Sequence, residues 1–400
     1  MSRVEGGRPS PARPAAHAIA RDLLAWFDAR KRDVPWREER DPYRIWVAEV
    51  MAQQTRIDTV RPYYHDFLER FPDVGALAAA PLDDVLRVWQ GLGYYARARH
   101  LHRAAAVVAE RHGGTLPSTV EDLRALPGVG AYTAGAIASL AFGLAEPAVD
   151  GNARRVLSRV FDLEAPTAER LERAAREVLD AAPGRPAAVN QAVMDLGGAV
   201  CTPRAPACAV CPVGVTCLAR ARGTQDERPP RRRSAPAPPR RAAAALVTRE
   251  GRALFVKRPP EGLLGGLWDL PGTSPVRVER RSPPIGEIRR ALEAALADRH
   301  AITARVGRRV ETVHHTFSHF RLRLDVFAAE WHAGEPAGEA VWAGAGQGGV
   351  GELATPTYLR AILPRLEGLE TRRTQVWCLE SRVSTEGGEA YGWQGASPQE

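Results

Sequence analysis

Leu126-Pro127-Gly128-Val129-Gly130-Ala131-Tyr132-Thr133-Ala134-Gly135-Ala136-Ile137-Ala138-Ser139 is the stretch on which the reading of this 400-residue chain turns. A short helix precedes it, two glycines punctuate it, and the run from Ala131 to Phe142 predicts a second helix. Gly128 and Gly130 in a tight turn let backbone N–H groups approach a ligand, and the helix N-terminus behind them adds positive dipole, which suits a phosphate. The same helix, glycine turn and helix also serve as plain packing, and on these residues alone packing is the better-founded reading.

On both sides of the turn, from His17 to Arg222, apolar residues recur at helical spacing. Ile19, Leu23, Leu24, Trp26 and Phe27 form one such set, Ile45, Trp46 and Val50 another, and Val85, Leu86 and Trp89 a third. Pro and Gly clusters cut these runs short, which predicts a compact bundle of short helices. Residues 223–241 break the pattern: TQDERPPRRRSAPAPPRR has no apolar period, and its prolines predict a semi-extended interdomain linker. A solvated tether and a set of arginines that touch the phosphates of a polyanion fit it equally. Beyond it, Ala244 to Thr248, a turn at Arg249 to Arg252, and Ala253 to Val256 predict a hairpin. Strand-like runs at Arg305 to Val313 and Phe320 to Ala328, with a helix at Gly286 to Ala297, complete a smaller α+β domain over 242–366. Residues 1–16 read as a disordered leader and 367–400 as a loose tail. The fold class expected is therefore a mainly α domain over 17–222 followed by a small α+β domain.

The formal charge of +8 and a pI near 9.6 suit a polyanion without identifying one. Lys31 and Lys257 are the only lysines, a bias that a GC-rich genome explains and that leaves few candidates for an amine nucleophile. No run of about 18 apolar residues is present to span a membrane, and the leader lacks the apolar core of a secretory signal. Four of the five cysteines crowd between 201 and 217, against a secreted disulfide scaffold and for a cytoplasmic metal site. Cys201, Cys208, Cys211 and Cys217 are spaced C-x6-C-x2-C-x5-C. Thiolates so placed surround one metal centre, either zinc or an iron–sulfur cluster, although zinc usually takes two C-x2-C pairs. Cys378 lies far off in the tail and reads as an incidental thiol.

Two carboxylates stand out. On a helix, Ile45, Trp46, Glu49, Val50 and Gln53 share one side, so Glu49 sits on an apolar stripe. Such a carboxylate is either paired with a cation, for which Arg37 and Arg44 are candidates, or kept protonated by desolvation and so able to act as a general acid. Periodicity leaves these level. Asp150, in Val149-Asp150-Gly151-Asn152, precedes a helix; alone, Asp150 or Asn152 is more often an N-cap than a catalyst. Paired with Glu49, an ionised Asp150 would stabilise a positive sugar, as the carboxylate pair does in glycoside hydrolysis.

Taken together these motifs resemble the MutY family of adenine DNA glycosylases, within the endonuclease III-like helix-hairpin-helix superfamily. The resemblance runs through Pro35-Trp36-Arg37, the Glu49 helix with Gln53-Gln54-Thr55, Gly91-Leu92-Gly93-Tyr94-Tyr95, the glycine turn, Val149-Asp150-Gly151-Asn152 and the four cysteines, over roughly residues 20–365. It implies a helix-hairpin-helix that grips the DNA backbone at Gly128 and Gly130, and a [4Fe–4S] cluster on the four cysteines. Members that cleave the backbone carry a lysine where this chain has Tyr132, so the resemblance implies hydrolysis by water without a Schiff base. Glu49 would protonate N7 of a flipped adenine, Asp150 oriented by Asn152 would stabilise the oxocarbenium-like sugar, and Tyr132 would help hold it. Gln54 and Tyr94 match positions that wedge into the base stack, with Thr55 and Leu92 beside the opposite base and Arg37 and Gln53 nearby. Asn190-Gln191 to Asp195 resembles a segment by the adenine pocket where relatives carry Glu, and Asp195 is shorter.

The C-terminal domain resembles a MutT-like (Nudix) reader of 8-oxoguanine, through Leu263 to Trp268 and Phe317-Ser318-His319. A working Nudix hydrolase needs a glutamate-rich helix to hold metal, and Gly286 to Ala297 offers only Glu287 and Glu293. The expectation is a monomeric bacterial enzyme, cytoplasmic on the nucleoid, that excises adenine opposite 8-oxoguanine or guanine in double-stranded DNA. A glycosylase for thymine or oxidised pyrimidines and a non-catalytic damage binder are the rival readings.

Overall fold

The structure, a computed structural model, describes residues 15–230, 236–278, 283–344 and 349–361. The expected leader up to residue 14, the centre of the linker, and the tail with Cys378 lie outside those residues. The chain forms two compact units: one reaches Pro236 and includes Arg258–Leu267, and the other takes Ala237–Lys257 and the chain from Trp268 onward.

The first unit is helical: α1 (Ala16–Arg30), α2 (Pro42–Ala52), α3 (Ile57–Arg70), α4 (Val74–Ala79), α5 (Leu82–Val88), α6 (Ala96–Arg111), α7 (Val120–Ala125), α8 (Ala131–Phe142), α9 (Gly151–Val160), α10 (Ala168–Asp180), α11 (Pro186–Ala199) and α12 (Leu218–Arg222). Local chemistry sets several of their starts. Asp41 caps α2 by accepting from Tyr43 N at 2.8 Å, with Pro42 in the first turn, where a missing N–H costs nothing. Thr119 and Thr167 cap α7 and α10 in the same way. Gly143, with φ 68°, stops α8 in a left-handed turn that glycine adopts without strain.

Apolar cores result among the described residues. Leu23, Phe27, Val156, Leu157, Leu171, Val178 and Leu196 join α1, α9, α10 and α11. Trp46, Phe67, Phe71, Leu86 and Trp89 bury the facing sides of α2, α3 and α5 and the turn after α5, with the Phe67 ring set edge-on to Trp89 at 5.9 Å. α2 and α8 are neighbours, which brings Glu49 and Tyr132 to one place although 83 residues separate them. Gly135 permits a second close approach: a Cβ there would lie 2.0 Å from the Pro147 carbonyl oxygen, so α8 rests directly on the segment leading to Asp150.

The linker expected over 223–241 is shorter than its composition implies. Arg159 Nε donates to the carbonyls of Gln225 (2.8 Å) and Arg228 (3.0 Å), while Asp162 accepts from Thr224 Oγ1 (2.7 Å) and pairs with Arg222 and Arg228. At the other end, Pro239–Arg241 already pair as strand. Prolines removed the apolar period there, but side chains from α9 and its C-terminal turn, together with a neighbouring strand, supply the partners.

The second unit is a mixed sheet built from β1 (Pro239–Arg249), β2 (Arg252–Lys257), β3 (Trp268–Asp269), β4 (Val276–Arg277), β5 (Thr303–Thr316), β6 (Arg321–Ala333) and β7 (Ala340–Ala343), with α13 (Ile285–His300). Strand order is β3-β2-β1-β6-β5, with β4 on β1 and β7 on β2. β1 and β2 form the expected hairpin through Glu250 and Gly251, both left-handed, as a two-residue turn requires. β1 runs parallel to β6, and α13 covers one face through Leu292 and Leu296 against Val247, Val306 and Phe327. The α+β class is as expected, with longer strands.

Candidate active site and cysteine loop

Glu49 lies in the third turn of α2, 8% exposed, and its Oε2 accepts the Tyr132 hydroxyl at 2.5 Å. Neither arginine weighed as its partner takes it. Arg37 is committed to Asp195 (2.7 Å) and to the Gln191 side-chain oxygen, and Arg44 leans towards Glu39 and Asp41. Burial pushes the Glu49 carboxyl up to about 6, nearby Asp150 adds to that, and the Tyr132 bond and Arg37 pull it back. Burial also holds the Tyr132 phenol well above its usual range, so at neutral pH it donates as a neutral hydroxyl.

Asp150 is both cap and wall. Its Oδ1 accepts from Ala153 N at 2.6 Å, which starts α9, and its Oδ2 accepts from Asn152 Nδ2 at 3.0 Å. Burial raises its pKa, while these bonds at the helix start favour the ionised form. The alternatives left open by the sequence are therefore compatible. Asn152 is in turn fixed by Arg155, whose Nη2 donates to Asn152 Oδ1 (2.8 Å) and Gly197 O (2.7 Å) and whose Nε donates to Cys201 O (2.7 Å).

One broad cleft is lined by Gln53, Gln54, Thr55, Gly128, Gly130, Tyr132, Asp150 and Asn152. Eight of the residues singled out from sequence thus converge. Glu49 is not among its lining residues, but Tyr132, which donates to the Glu49 carboxylate, is. The Gly128–Gly130 turn has the anticipated form. Gly128 (φ 78°) presses on the His100 ring, leaving no room for a Cβ, and α8 begins at Gly130 with no side-chain cap on its first N–H groups. Gln53 Nε2 donates to Thr133 Oγ1 (3.1 Å) across the same wall.

The other residues singled out from the sequence are placed as follows. Leu92 is buried at 5% exposed and packs inward, whereas Tyr94 on the same turn is exposed. Asp195 is bound by Arg32 (3.1 Å) and Arg37, so its carboxylate is spent on two guanidinium groups. Gln191, part of the same segment that the resemblance placed by the pocket, accepts from Arg37 Nη1. Arg155 was also missed, since an arginine near a helix start reads as solvated. In the second unit, Phe317, Ser318 and His319 form the β5–β6 turn, where Phe317 N bonds to Phe320 O (2.9 Å). Ser318 and His319 are exposed there, backed by the rings of Phe317 and Phe320 at 4.7 Å. Glu293 Oε1 of α13 accepts from Val306 N (3.1 Å).

Cys201, Cys208, Cys211 and Cys217, all free thiols, line one small cavity together with apolar Val156, Val160, Leu196 and Val213. Among the described residues, no three His, Cys, Asp or Glu side chains are drawn onto a single ion position. Arg159 Nη1 donates to Cys201 Sγ at 3.3 Å. Burial pushes the Cys211 thiol up to about 11 and raises Cys217, so thiolates here need a cationic centre to offset desolvation. Four sulfurs ringing an apolar void, with a guanidinium on one of them, fit such a group. No described helix is long and apolar enough to cross a membrane.

Comparison with known proteins adds the following. The family model described as HhH-GPD superfamily base excision DNA repair protein matches residues 47–181, and a NUDIX domain model matches 242–365. Similar proteins include the adenine DNA glycosylases of Homo sapiens (37% identical, covering 78% of this chain and 66% of that protein) and Mus musculus (36%, 78% and 70%). That of Mycobacterium tuberculosis is 40% identical over 55% of this chain and 73% of its own. Among solved structures, a thermostable thymine-DNA glycosylase matches 52% of this chain and 97% of its own at 28% identity and TM-score 0.49.

Proposed function

The chain belongs to the adenine DNA glycosylase family, and on that premise we propose that it hydrolyses the N-glycosidic bond of adenine mispaired with 8-oxoguanine or guanine in double-stranded DNA. The observation that carries this reading is the buried Glu49–Tyr132 pair near Asp150, with Tyr132 and Asp150 lining a cleft that the glycine turn also lines. Residues 17–222 act as the catalytic domain and 242–366 as the reader of the opposite base.

A carboxyl held near pH 6 is protonated often enough at neutral pH to donate, and basic enough once ionised to be recharged. Glu49 gives its proton to N7 of the extruded adenine, so that the C1′–N9 bond breaks with its electrons leaving on a neutral base. Tyr132 holds the carboxyl in line. Asp150, oriented by Asn152, sets negative charge against the cationic sugar, and water then adds at C1′, its proton passing to the Glu49 carboxylate that the first step left ionised. The two lysines are engaged elsewhere, Lys31 with Glu38 and Lys257 with Glu339, which supports water as nucleophile. Gln54 and Tyr94 enter the base stack, and the bare N–H groups of Gly130 and α8 hold a backbone phosphate. Asp195 holds Arg37, which in turn holds Gln191, in the segment that the resemblance sets by the adenine pocket. Ser318 and His319, exposed on their turn, read the opposite base.

The four cysteines hold a [4Fe–4S] cluster, which when bound supplies iron–thiolate bonds that fasten the loop after α11. Iron and inorganic sulfide in the cluster's ratio are expected in the purified chain; stoichiometric zinc instead would overturn this assignment.

The activity is tested by single-turnover excision on duplexes that carry adenine, thymine or thymine glycol opposite 8-oxoguanine or guanine. Adenine release opposite 8-oxoguanine is expected, falling by at least about 100-fold in Glu49→Gln. Near-normal release by that variant would sink the mechanism, and faster release of thymine or thymine glycol would sink the substrate.

A further inference from the structure

Arg97, in the first turn of α6, is 9% exposed, and all of its side-chain hydrogen bonds among the described residues go to carbonyl or hydroxyl oxygens. Nη1 donates to Val50 O (2.9 Å), Met51 O (2.7 Å) and Gln53 O (2.6 Å), at the C-terminal end of α2. Nη2 donates to Thr55 Oγ1 (3.1 Å) and to Gly93 O (3.2 Å). The guanidinium carbon lies 5.4 Å from the ring centroids of both Trp89 and Tyr94. One side chain therefore bonds to two separate turns, Gln53–Thr55 and Gly91–Tyr94.

The residues at the tips of those turns are held in costly backbone. Gln54 (φ 57°) and Tyr94 (φ 48°) are both left-handed without being glycine. Such conformations persist where the surroundings over-determine them. Burial brings the Arg97 pKa down to about 10, so it stays charged at neutral pH, and the carbonyls ending α2 present the negative end of a helix dipole to it. A lysine offers a single point of charge and does not span both turns, whereas the planar fork of arginine does.

We propose that Arg97 is a positioning residue for strand opening, splicing the two turns so that Gln54 and Tyr94 meet the base stack as one preformed wedge. The inference rests on the reading that those two side chains enter the stack. A wedge ordered before binding avoids the entropy of ordering two loops at the moment the base is extruded.

The test compares single-turnover adenine excision on an intact 8-oxoguanine:adenine duplex with that on a duplex already opened by abasic sites flanking the adenine. Full-length Arg97→Lys, Arg97→Gln, Tyr94→Ala and the double variant Arg97→Lys/Tyr94→Ala are assayed after near-ultraviolet circular dichroism confirms folding. Arg97→Lys is expected to lose about 10- to 100-fold on the intact duplex and less than about 3-fold on the opened one, and the double variant to do no worse than Tyr94→Ala. Arg97→Gln, which retains planarity but not charge, is expected to share the substrate-dependent pattern. Equal losses on both duplexes, or additive losses in the double variant, would overturn the inference and leave Arg97 as a packing residue. A defective Tyr94→Ala beside a normal Arg97→Lys overturns it alone, whereas a normal Tyr94→Ala removes the wedge reading beneath it.

Discussion

A buried carboxyl whose pKa is raised makes the native state less stable whenever it is ionised, and Glu49→Gln isolates that cost. The group moves from 4.5 in a solvated chain to about 6 in the folded one. At 1.36 kcal/mol per unit, the shift amounts to about 2 kcal/mol. The direction follows from the raised value: the stabilising contribution of the protonated form is fully present below pH 4.5 and lost as pH rises through about 6. Glutamine keeps the shape and an oxygen for the Tyr132 hydroxyl but carries no charge at any pH. Glu49→Gln is therefore expected to be about 2 kcal/mol more stable than the native chain at pH 8, and no more stable below pH 4.5. For a unit of this size the difference at pH 8 is a rise of roughly 4–8 °C in melting midpoint. Melts of both proteins from pH 4 to 8, followed by circular dichroism, measure it. Coincident midpoints at pH 8, or a gap that persists unchanged at pH 4, would refute the account of Glu49 as a desolvated acid.

Three other outcomes are expected. Tyr132→Phe removes a bond that pulls the Glu49 pKa down, so the descending limb of the excision-rate profile, near pH 6 in the free enzyme, should move to higher pH; a limb that stays put or moves lower contradicts the pairing. Asp150→Asn keeps an N-cap, so stability should change by less than about 1 kcal/mol, while loss of the charge should slow single-turnover excision by at least about 100-fold. A melt and a rate on one preparation separate the two. Gly135→Ala sets a methyl group against the Pro147 carbonyl oxygen, and the forced separation should cost roughly 1–3 kcal/mol in urea unfolding; an unchanged midpoint would show that the contact yields freely.

What was legible in the sequence was mostly local. The α9 cap, the two-residue β1–β2 turn and the helical period of the first half all depend on residues a few positions apart, where propensity and pattern act directly. Periodicity placed Glu49 on an apolar face but gave it no partner, because Tyr132 is 83 positions away. The partners of Asp195 were illegible for the same reason: Arg32 and Arg37 reach it across 163 and 158 positions. The parallel pairing of β1 with β6 joins residues about 80 apart, and no short-range signal announces it. Buried arginines were the systematic blind spot. Pattern reading assigns Arg97, Arg155 and Arg159 to solvated faces, whereas each spends its guanidinium on backbone carbonyls whose positions only the fold defines.

The contact between Gly135 and Pro147 has an evolutionary side. Tyr132 lies one turn before Gly135 on α8, and Asp150 three residues beyond Pro147. On the proposed mechanism, the gap between Tyr132, beside the proton donor, and Asp150, facing the sugar, is thus gauged by main chain against main chain. Side chains elsewhere around the cleft can vary one at a time, and a lineage can explore other bases through them. This spacing has no rotamers to adjust, so drift in substrate preference should leave the distance between the two halves of the chemistry unchanged.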